Sequence, residues 1–147
     1  MNSLKQRFFI ALVPPLDIEQ QITEIKQYFA DRYNSSRALQ SPPHITLQPP
    51  FEWPTTDVRK LEESLNTFAA KRLSIPVTLL GFAAFAPRVI YVDVVKSPPV
   101  LELQKDLMSY IEENLGIVDR LSQTRPFVPR GNASYLTLFI SGEYILT

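Results

Sequence analysis

The sequence predicts an α+β fold in which helices cover mostly antiparallel sheets. Short runs of apolar and β-branched residues, which predict strands, alternate with segments whose apolar residues recur every three or four positions, which predict helices. Thirteen prolines against four glycines fall in clusters that separate these segments. A chain of 147 residues is long enough to bury roughly two thirds of the surface that its unfolded form exposes. We therefore expect one α+β domain over residues 1–147.

The first half of the chain predicts the order strand, helix, strand, helix. Residues 7–13 form an apolar run closed by Pro14-Pro15. Residues 44–47 follow another Pro-Pro pair and alternate, and we expect Pro49-Pro50 to stop this strand. Residues 16–33 and a segment from Thr55 or Thr56 to residue 71 have the helical period, with either threonine as the cap of the second helix. The expected inner faces consist of Ile18, Ile22, Ile25 and Phe29 in the first helix and Val58, Leu61, Leu65 and Phe68 in the second.

The second half predicts two strands, a helix and a closing strand. Residues 75–80 and 89–95 predict two strands joined through GFAAFAPR, and residues 135–140 predict the closing strand. Residues 101–115 repeat the helical period, and Gly116 is expected to end this helix. Its expected inner face consists of Leu101, Leu107, Met108 and Ile111.

Composition narrows the classes of function. Fifteen basic residues balance fifteen acidic ones, so the chain has no net positive charge that would favour binding to long duplex nucleic acid. The absence of cysteine excludes disulfides, thiolate nucleophiles and sulfur-ligated metals. The N-terminal apolar run is short and bounded by Arg7 and prolines, unlike a secretory signal, and no stretch has the length of a membrane span. We expect a cytoplasmic protein without a membrane partner.

His44 and Thr46 are the residues best suited to chemistry. His44 is the only histidine, and its alternation with Thr46 on a predicted strand puts the imidazole and the hydroxyl on one face, about 7 Å apart along the chain. An imidazole transfers protons near neutral pH, and a threonine hydroxyl can donate to a phosphoryl oxygen. Taken alone, a single strand histidine is more often a packed or surface residue than a catalyst. A metal site is less expected still, because no second histidine or cysteine is available.

Five ordered segments carry a family resemblance: RFFIALVPP, SPPHITLQPPF, GFAAFAPRVIYVDV, LELQKDLMSYIEENLG and TRPFVP. They resemble, in order, the first strand, the first His-x-Thr strand, the central strands, the third helix and the approach to the second His-x-Thr strand of two-histidine phosphoesterases, the 2'-5' RNA ligase-like proteins. The resemblance covers about residues 5–129. It implies a bilobal fold with internal pseudo-twofold symmetry, in which each lobe contributes one His-x-Thr strand to a central cleft with helices packed outside.

The resemblance also implies an activity. Proteins of this family act without a metal or nucleotide cofactor on cyclic phosphodiesters and on 2'-5' linked or 2',3'-cyclic RNA ends. One histidine takes a proton, the other gives one, and the threonines bind phosphate oxygens. By match to the first motif, His44 and Thr46 are the catalytic residues. The implied partner is a small nucleotide or an RNA 3'-end, bound by a monomer or homodimer.

The second motif is altered in this chain. The family pattern places a histidine at position 130 and a threonine or serine at 132, where this sequence has Arg130 and Asn132. In one alignment Arg130 occupies the site and stabilises phosphate charge without transferring a proton. Arg125 resembles the basic residue that precedes the family's second motif, which makes it a further candidate for substrate contact.

The altered region is also compatible with a shifted alignment or with a changed ending. In the shifted alignment, Tyr135 and Thr137 line the cleft, since Tyr-Leu-Thr-Leu repeats the Thr-Leu of the first motif. With a changed ending, the sequence after Pro129 is not the family's own, as a change of reading frame would produce. Because one of two acid/base groups is missing, the alternative to an enzyme is an impaired member that only binds nucleotide or RNA ends.

Overall fold

The computed structural model describes residues 4–33, 43–85, 89–120, 126–128, 130–131, 137–141 and 143–146. Within these ranges the strands are β1 (Lys5–Val13), β2 (Ile45–Pro54), β3 (Pro76–Phe85), β4 (Val89–Val94), β5 (Arg130–Gly131), β6 (Thr137–Ser141) and β7 (Glu143–Leu146). The helices are α1 (Leu16–Tyr33), a short 3-10 helix (Thr55–Asp57), α2 (Val58–Ala70) and α3 (Pro98–Leu115). The predicted α+β class is confirmed.

The strands form one open sheet in the order β6-β1-β2-β5-β4-β3-β7. All neighbours are antiparallel except the edge strands, because β6 runs parallel to β1 and β7 runs parallel to β3. The two edge strands are separated in sequence by a single residue, so Ser141 and Glu143 lie within about 7 Å of each other. The sheet must therefore curve strongly enough to bring its two edges together at that point.

All three helices pack against one face of this sheet, the outer face. Their buried residues form a single apolar cluster with alternate residues of the strands, among them Phe8, Ile10 and Leu12 of β1 and Ile45 and Leu47 of β2. Because strand residues alternate between faces, Phe9 and Ala11 lie on the opposite, inner face, and both are buried although neither belongs to that cluster. Their burial therefore comes from contacts outside the cluster that the helices cover.

Strand β2 continues through Pro49 and Pro50 to Pro54, so the prediction that these two prolines stop the strand was wrong. The two prolines lie where the β1–β2 register shifts, between the pairs Ile10–Gln48 and Phe8–Phe51. A bulge tolerates residues that lack an N–H donor, so the strand continues to Pro54 against β1. Phe51 then packs against Phe8, with 6.4 Å between ring centroids, as part of the helix-covered core.

The second helix begins differently from the prediction. Its N-cap position is Asp57, without a side-chain capping bond, and the 3-10 helix precedes it. Thr55 Oγ1 donates instead to the Leu4 carbonyl at 3.1 Å, and the Thr55 N–H donates to the same oxygen at 2.9 Å. The threonine therefore ties the end of β2 to the start of β1, and the expected threonine cap was wrong. The predicted inner face is confirmed at Leu61, Leu65 and Phe68.

The third helix begins three residues before its predicted start, with Pro98 in its first turn, where a missing N–H costs nothing. Its end at Gly116 is confirmed, because this residue has φ 66° and its N–H donates to the Glu112 carbonyl. Leu107 and Ile111 are buried as predicted, but Leu101 is 37% exposed, so its assignment to the inner face was wrong. The packed face instead begins with Val100 and Leu103, about one turn apart, and continues through Leu107 and Ile111.

Two predicted strands also differ in length. Strand β3 extends to Phe85, well beyond residue 80, so most of the expected GFAAFAPR connection is strand. The closing strand is Thr137–Ser141, and positions 135 and 136 of its predicted range lie outside the described residues. No helix in the described part of the chain is long and apolar enough to cross a membrane.

Candidate active site

His44 directly precedes β2, on the inner face of the sheet. Ile45 pairs with Leu12 and points into the helix-covered core, so the neighbours of Ile45 along the chain, His44 and Thr46, belong to the opposite face. The His44 side chain is 4% exposed, whereas Thr46 is half-buried. The sequence prediction that both residues share one face agrees with this backbone, and the hydroxyl is the more accessible of the two groups.

The imidazole of His44 packs against an aromatic ring of the neighbouring strand. The ring centroids of Phe9 and His44 are 4.9 Å apart and their planes are inclined by 43°. Between these residues in the register lies the pair Ala11–Thr46. The sequence analysis did not single out Phe9. Its alternation with Phe8 and Ile10 was the available signal, because it places one buried phenylalanine on the face of the histidine.

The backbone next to Thr46 is irregular. The β1–β2 register shifts between Ile10 and Ala11, opposite Leu47, and Gln104 of α3 approaches the Leu47 carbonyl with its Nε2 at 3.4 Å. Gln48 is 2% exposed, and its Nε2 donates to the Pro49 carbonyl at 2.9 Å. Gln48 Oε1 is buried with no hydrogen-bond partner among the described residues. Two buried amides thus accompany the bulge that follows the His-x-Thr segment.

Strand β5 brings position 130 next to the start of β2. Gly131 pairs with Ile45 on one side and with Val92 on the other, and Arg130 pairs with Asp93. Because β2 and β5 are antiparallel, the same register sets position 130 opposite Thr46, on the inner face. With strands about 4.8 Å apart and about 3.4 Å per residue, the Cα atoms of His44 and Arg130 are separated by about 8 Å.

The remaining sequence-predicted residues fall elsewhere. Thr137 begins β6 and pairs with Phe9, so β1 lies between its strand and β2. Arg125 and Tyr135 lie outside the described residues. The structure therefore brings positions 44, 46 and 130 together on adjoining strands and sets position 137 on the far side of β1.

Lys26 is a partly buried cation on α1. Burial lowers the pKa of Lys26 on α1, and the nearby Glu19 carboxylate opposes that shift. Both residues belong to a helix on the outer face, away from His44. Among the described residues, no three His, Asp or Glu side chains lie close enough to share a metal ion.

A sheet that is antiparallel except at its edges, with helices on one face and a His-x-Thr segment on the other, defines a two-histidine phosphoesterase type of scaffold. The family model of the 2'-5' RNA ligase superfamily matches residues 14–129, which include His44 and Thr46 and end just before β5. The chain belongs to this superfamily.

Similar proteins come from bacilli, and each has "Putative phosphoesterase" in its name. One from Geobacillus kaustophilus strain HTA426 is 31% identical over 105 residues, which is 70% of this chain and 58% of the relative. One from Geobacillus sp. strain WCH70 is 32% identical over 107 residues, covering 71% of this chain and 59% of the relative. One from Bacillus cytotoxicus is 36% identical over 78 residues, covering 52% and 45%. The chain thus spans somewhat more than half the length of the first two.

Proposed function

We propose that this protein is a metal-independent phosphodiesterase that acts on small nucleotides or RNA ends carrying a 2',3'-cyclic phosphate or a 2'-5' linkage. The observation that carries the proposal is the pair His44 and Thr46 on the inner face of the sheet. Membership of the 2'-5' RNA ligase superfamily and the names of the bacillar relatives support the same chemistry.

In hydrolysis of a 2',3'-cyclic phosphate, water attacks phosphorus and the bond from phosphorus to one ribose oxygen breaks. The water loses a proton to a base, and the ribose oxygen gains one from an acid. His44 can serve in either role, since imidazole changes protonation near neutral pH. The Thr46 hydroxyl is suited to donate a hydrogen bond to a phosphoryl oxygen as negative charge grows there.

We assign to Arg130 the role of stabilising the negative charge of the phosphate. A guanidinium presents several N–H donors and remains protonated, so it stabilises a phosphoryl group but does not carry a proton. Its backbone position opposite Thr46 supports this assignment, which leaves His44 without a second histidine. Arg125, Tyr135 and Thr137 remain candidates for contacts with the rest of the substrate.

The proposal is tested with a panel of short RNAs, incubated with the unmodified chain in the presence of a chelator. One RNA ends in a 2',3'-cyclic phosphate, one contains a single 2'-5' linkage, and a control has only 3'-5' linkages. We expect the first or second to be cleaved while the control stays intact. Cleavage that occurs only when the chelator is left out would contradict the metal-independent chemistry.

A second function has a specific observation in its favour, namely that the sequence contains a single histidine. A member with one acid/base group retains the phosphate-binding threonine and arginine but loses on the order of 10² to 10⁴ in rate. Such a protein would bind the cyclic-phosphate RNA without turning it over. Binding of that RNA measured by fluorescence anisotropy, together with no product after prolonged incubation, would favour this alternative.

A further inference from the structure

We propose that Phe9 is the positioning residue for His44: its ring fixes the orientation of the imidazole on the inner face of the sheet. The proposal deepens the proposed function, because it concerns the same site and rests on His44 as the reacting group. The carrying observation is the ring contact at 4.9 Å between two side chains that are 2% and 4% exposed.

Phe9 is buried for a reason different from that of its neighbours. Phe8 and Ile10 belong to the apolar cluster that the three helices cover, whereas Phe9 is buried and lies outside it. A phenylalanine on the inner face does not contribute to packing between sheet and helices. Its described ring contact is with the imidazole of His44.

His44 lies at the end of the β1–β2 ladder, where the ring of Phe9 adds to the contacts that hold its side chain. His44 precedes the first residue of β2, and the first pair of the β1–β2 ladder at this end is Leu12–Ile45. The ladder fixes the backbone of Ile45, and the ring of Phe9 is one of the contacts that bear on the two side-chain torsions of His44. A ring packed at 43° to the imidazole restricts those torsions, since tilted aromatic pairs are favoured over looser arrangements by roughly two- to tenfold in population.

The position of Phe9 is itself fixed by the strands on both sides of β1. Its strand lies between β2 and β6, and Phe9 itself pairs with Thr137 in the parallel β1–β6 ladder. A residue in an interior strand moves less than one in a loop, so the ring is a rigid reference for the imidazole. Phe9 does not touch the reacting phosphate; it acts through His44.

The chain offers a matched control in the adjacent residue. Phe8 is 1% exposed and packs against Phe51 on the outer face, so Phe8→Leu removes a ring of the same size from the same strand. Phe9→Leu and Phe8→Leu should lose stability by similar amounts, because each replaces a fully buried ring with a smaller apolar side chain. They should differ only in their effect on His44.

The experiment is NMR of the imidazole in the full chain, in which His44 gives unambiguous signals because it is the single histidine. In the unmodified chain we expect nuclear Overhauser contacts between the His44 and Phe9 rings. In Phe9→Leu the imidazole proton resonances should shift, as the ring current is lost, and should broaden. In Phe8→Leu they should stay as in the unmodified chain.

Turnover provides a second readout. If the chain hydrolyses a cyclic-phosphate RNA, Phe9→Leu should lower kcat by roughly two- to tenfold with KM unchanged, while Phe8→Leu leaves both constants as they are. Absence of turnover in the unmodified chain would count against the proposed function and leave the NMR comparison intact. The proposal about Phe9 is overturned if the unmodified chain lacks the ring contacts, or if Phe8→Leu perturbs His44 as much as Phe9→Leu. If Phe9→Leu does not fold, the contacts in the unmodified chain decide.

Discussion

Replacing Arg130 with histidine should create the second acid/base group of the site. Antiparallel pairing of Ile45 with Gly131 sets position 130 opposite Thr46 and two residues along from His44. From strand spacing, the two Cα atoms are separated by about 8 Å, which allows two imidazoles to stand on either side of one phosphate. A positioned acid or base contributes on the order of 10² to 10⁴ in rate, so Arg130→His should raise turnover by that factor, reduced by any loss of phosphate binding.

The assay is single-turnover hydrolysis of a short RNA with a 2',3'-cyclic phosphate, with product separated by chromatography. Tyr135→His is the matched control, because it places the new histidine according to the shifted alignment of the second motif. The gain in Arg130→His should vanish when His44 is also changed to alanine, since two groups that act as a pair are strongly non-additive. A folded Arg130→His with no gain, or a larger gain in Tyr135→His, would refute the inference from the β2–β5 register.

Three further predictions concern stability, each measured by urea unfolding. Leu107→Ala should cost about 2–5 kcal/mol because Leu107 is fully buried, whereas Leu101→Ala in the same helix should cost less than about 1 kcal/mol; equal losses would contradict the packed face of α3. Gly116→Ala should cost about 1 kcal/mol from the backbone alone, since φ is 66° and no atom lies within 4 Å of an added Cβ; a neutral result would contradict the left-handed end of α3. Lys26→Met should stabilise slightly, by less than about 0.5 kcal/mol at neutral pH, because burial lowers the pKa of Lys26 and so penalises its charged form in the folded state. That gain should shrink as the pH rises toward 10.5, where both states lose the proton; a gain that grows with pH would contradict the shift.

The helices, and the face of the sheet on which His44 lies, could be predicted from the sequence because both depend on local periodicity. α1 has the predicted bounds, Leu16–Tyr33, and Gly116 ends α3 because a left-handed residue there favours glycine. The error at Leu101 has a local cause. The prolines of the first turn begin α3 at Pro98, three residues before the predicted start, and the first buried position is Val100.

The strand ends could not be predicted, because non-local pairing decides them. Pro49 and Pro50 break most strands, but here they coincide with a shift in the pairing with β1, and no local pattern marks that shift. Thr55 has the side chain of a helix cap, yet its hydroxyl donates to Leu4, fifty-one residues away. The contact between Phe9 and His44 is of the same kind, since it depends on the register of two strands separated by α1.

The order of the strands in the sheet could not be predicted from the sequence either. β6 and β7 are nearly continuous in the chain, which locally predicts one strand or a hairpin, but they pair with β1 and β3 at opposite edges. Only the curvature of the whole sheet makes that arrangement possible. The site likewise depends on the complete sheet and not on the motif alone, because pairing with β5 is what sets position 130 opposite Thr46.

The central claim is that the imidazole of His44 transfers a proton in phosphodiester hydrolysis. It is tested most directly by the single-turnover rate on a 2',3'-cyclic phosphate RNA in the presence of chelator, compared between the unmodified chain and His44→Ala. We predict a fall on the order of 10² to 10⁴ in rate, with RNA binding retained through Thr46 and Arg130. Equal rates in two folded proteins that bind the RNA equally would contradict the claim.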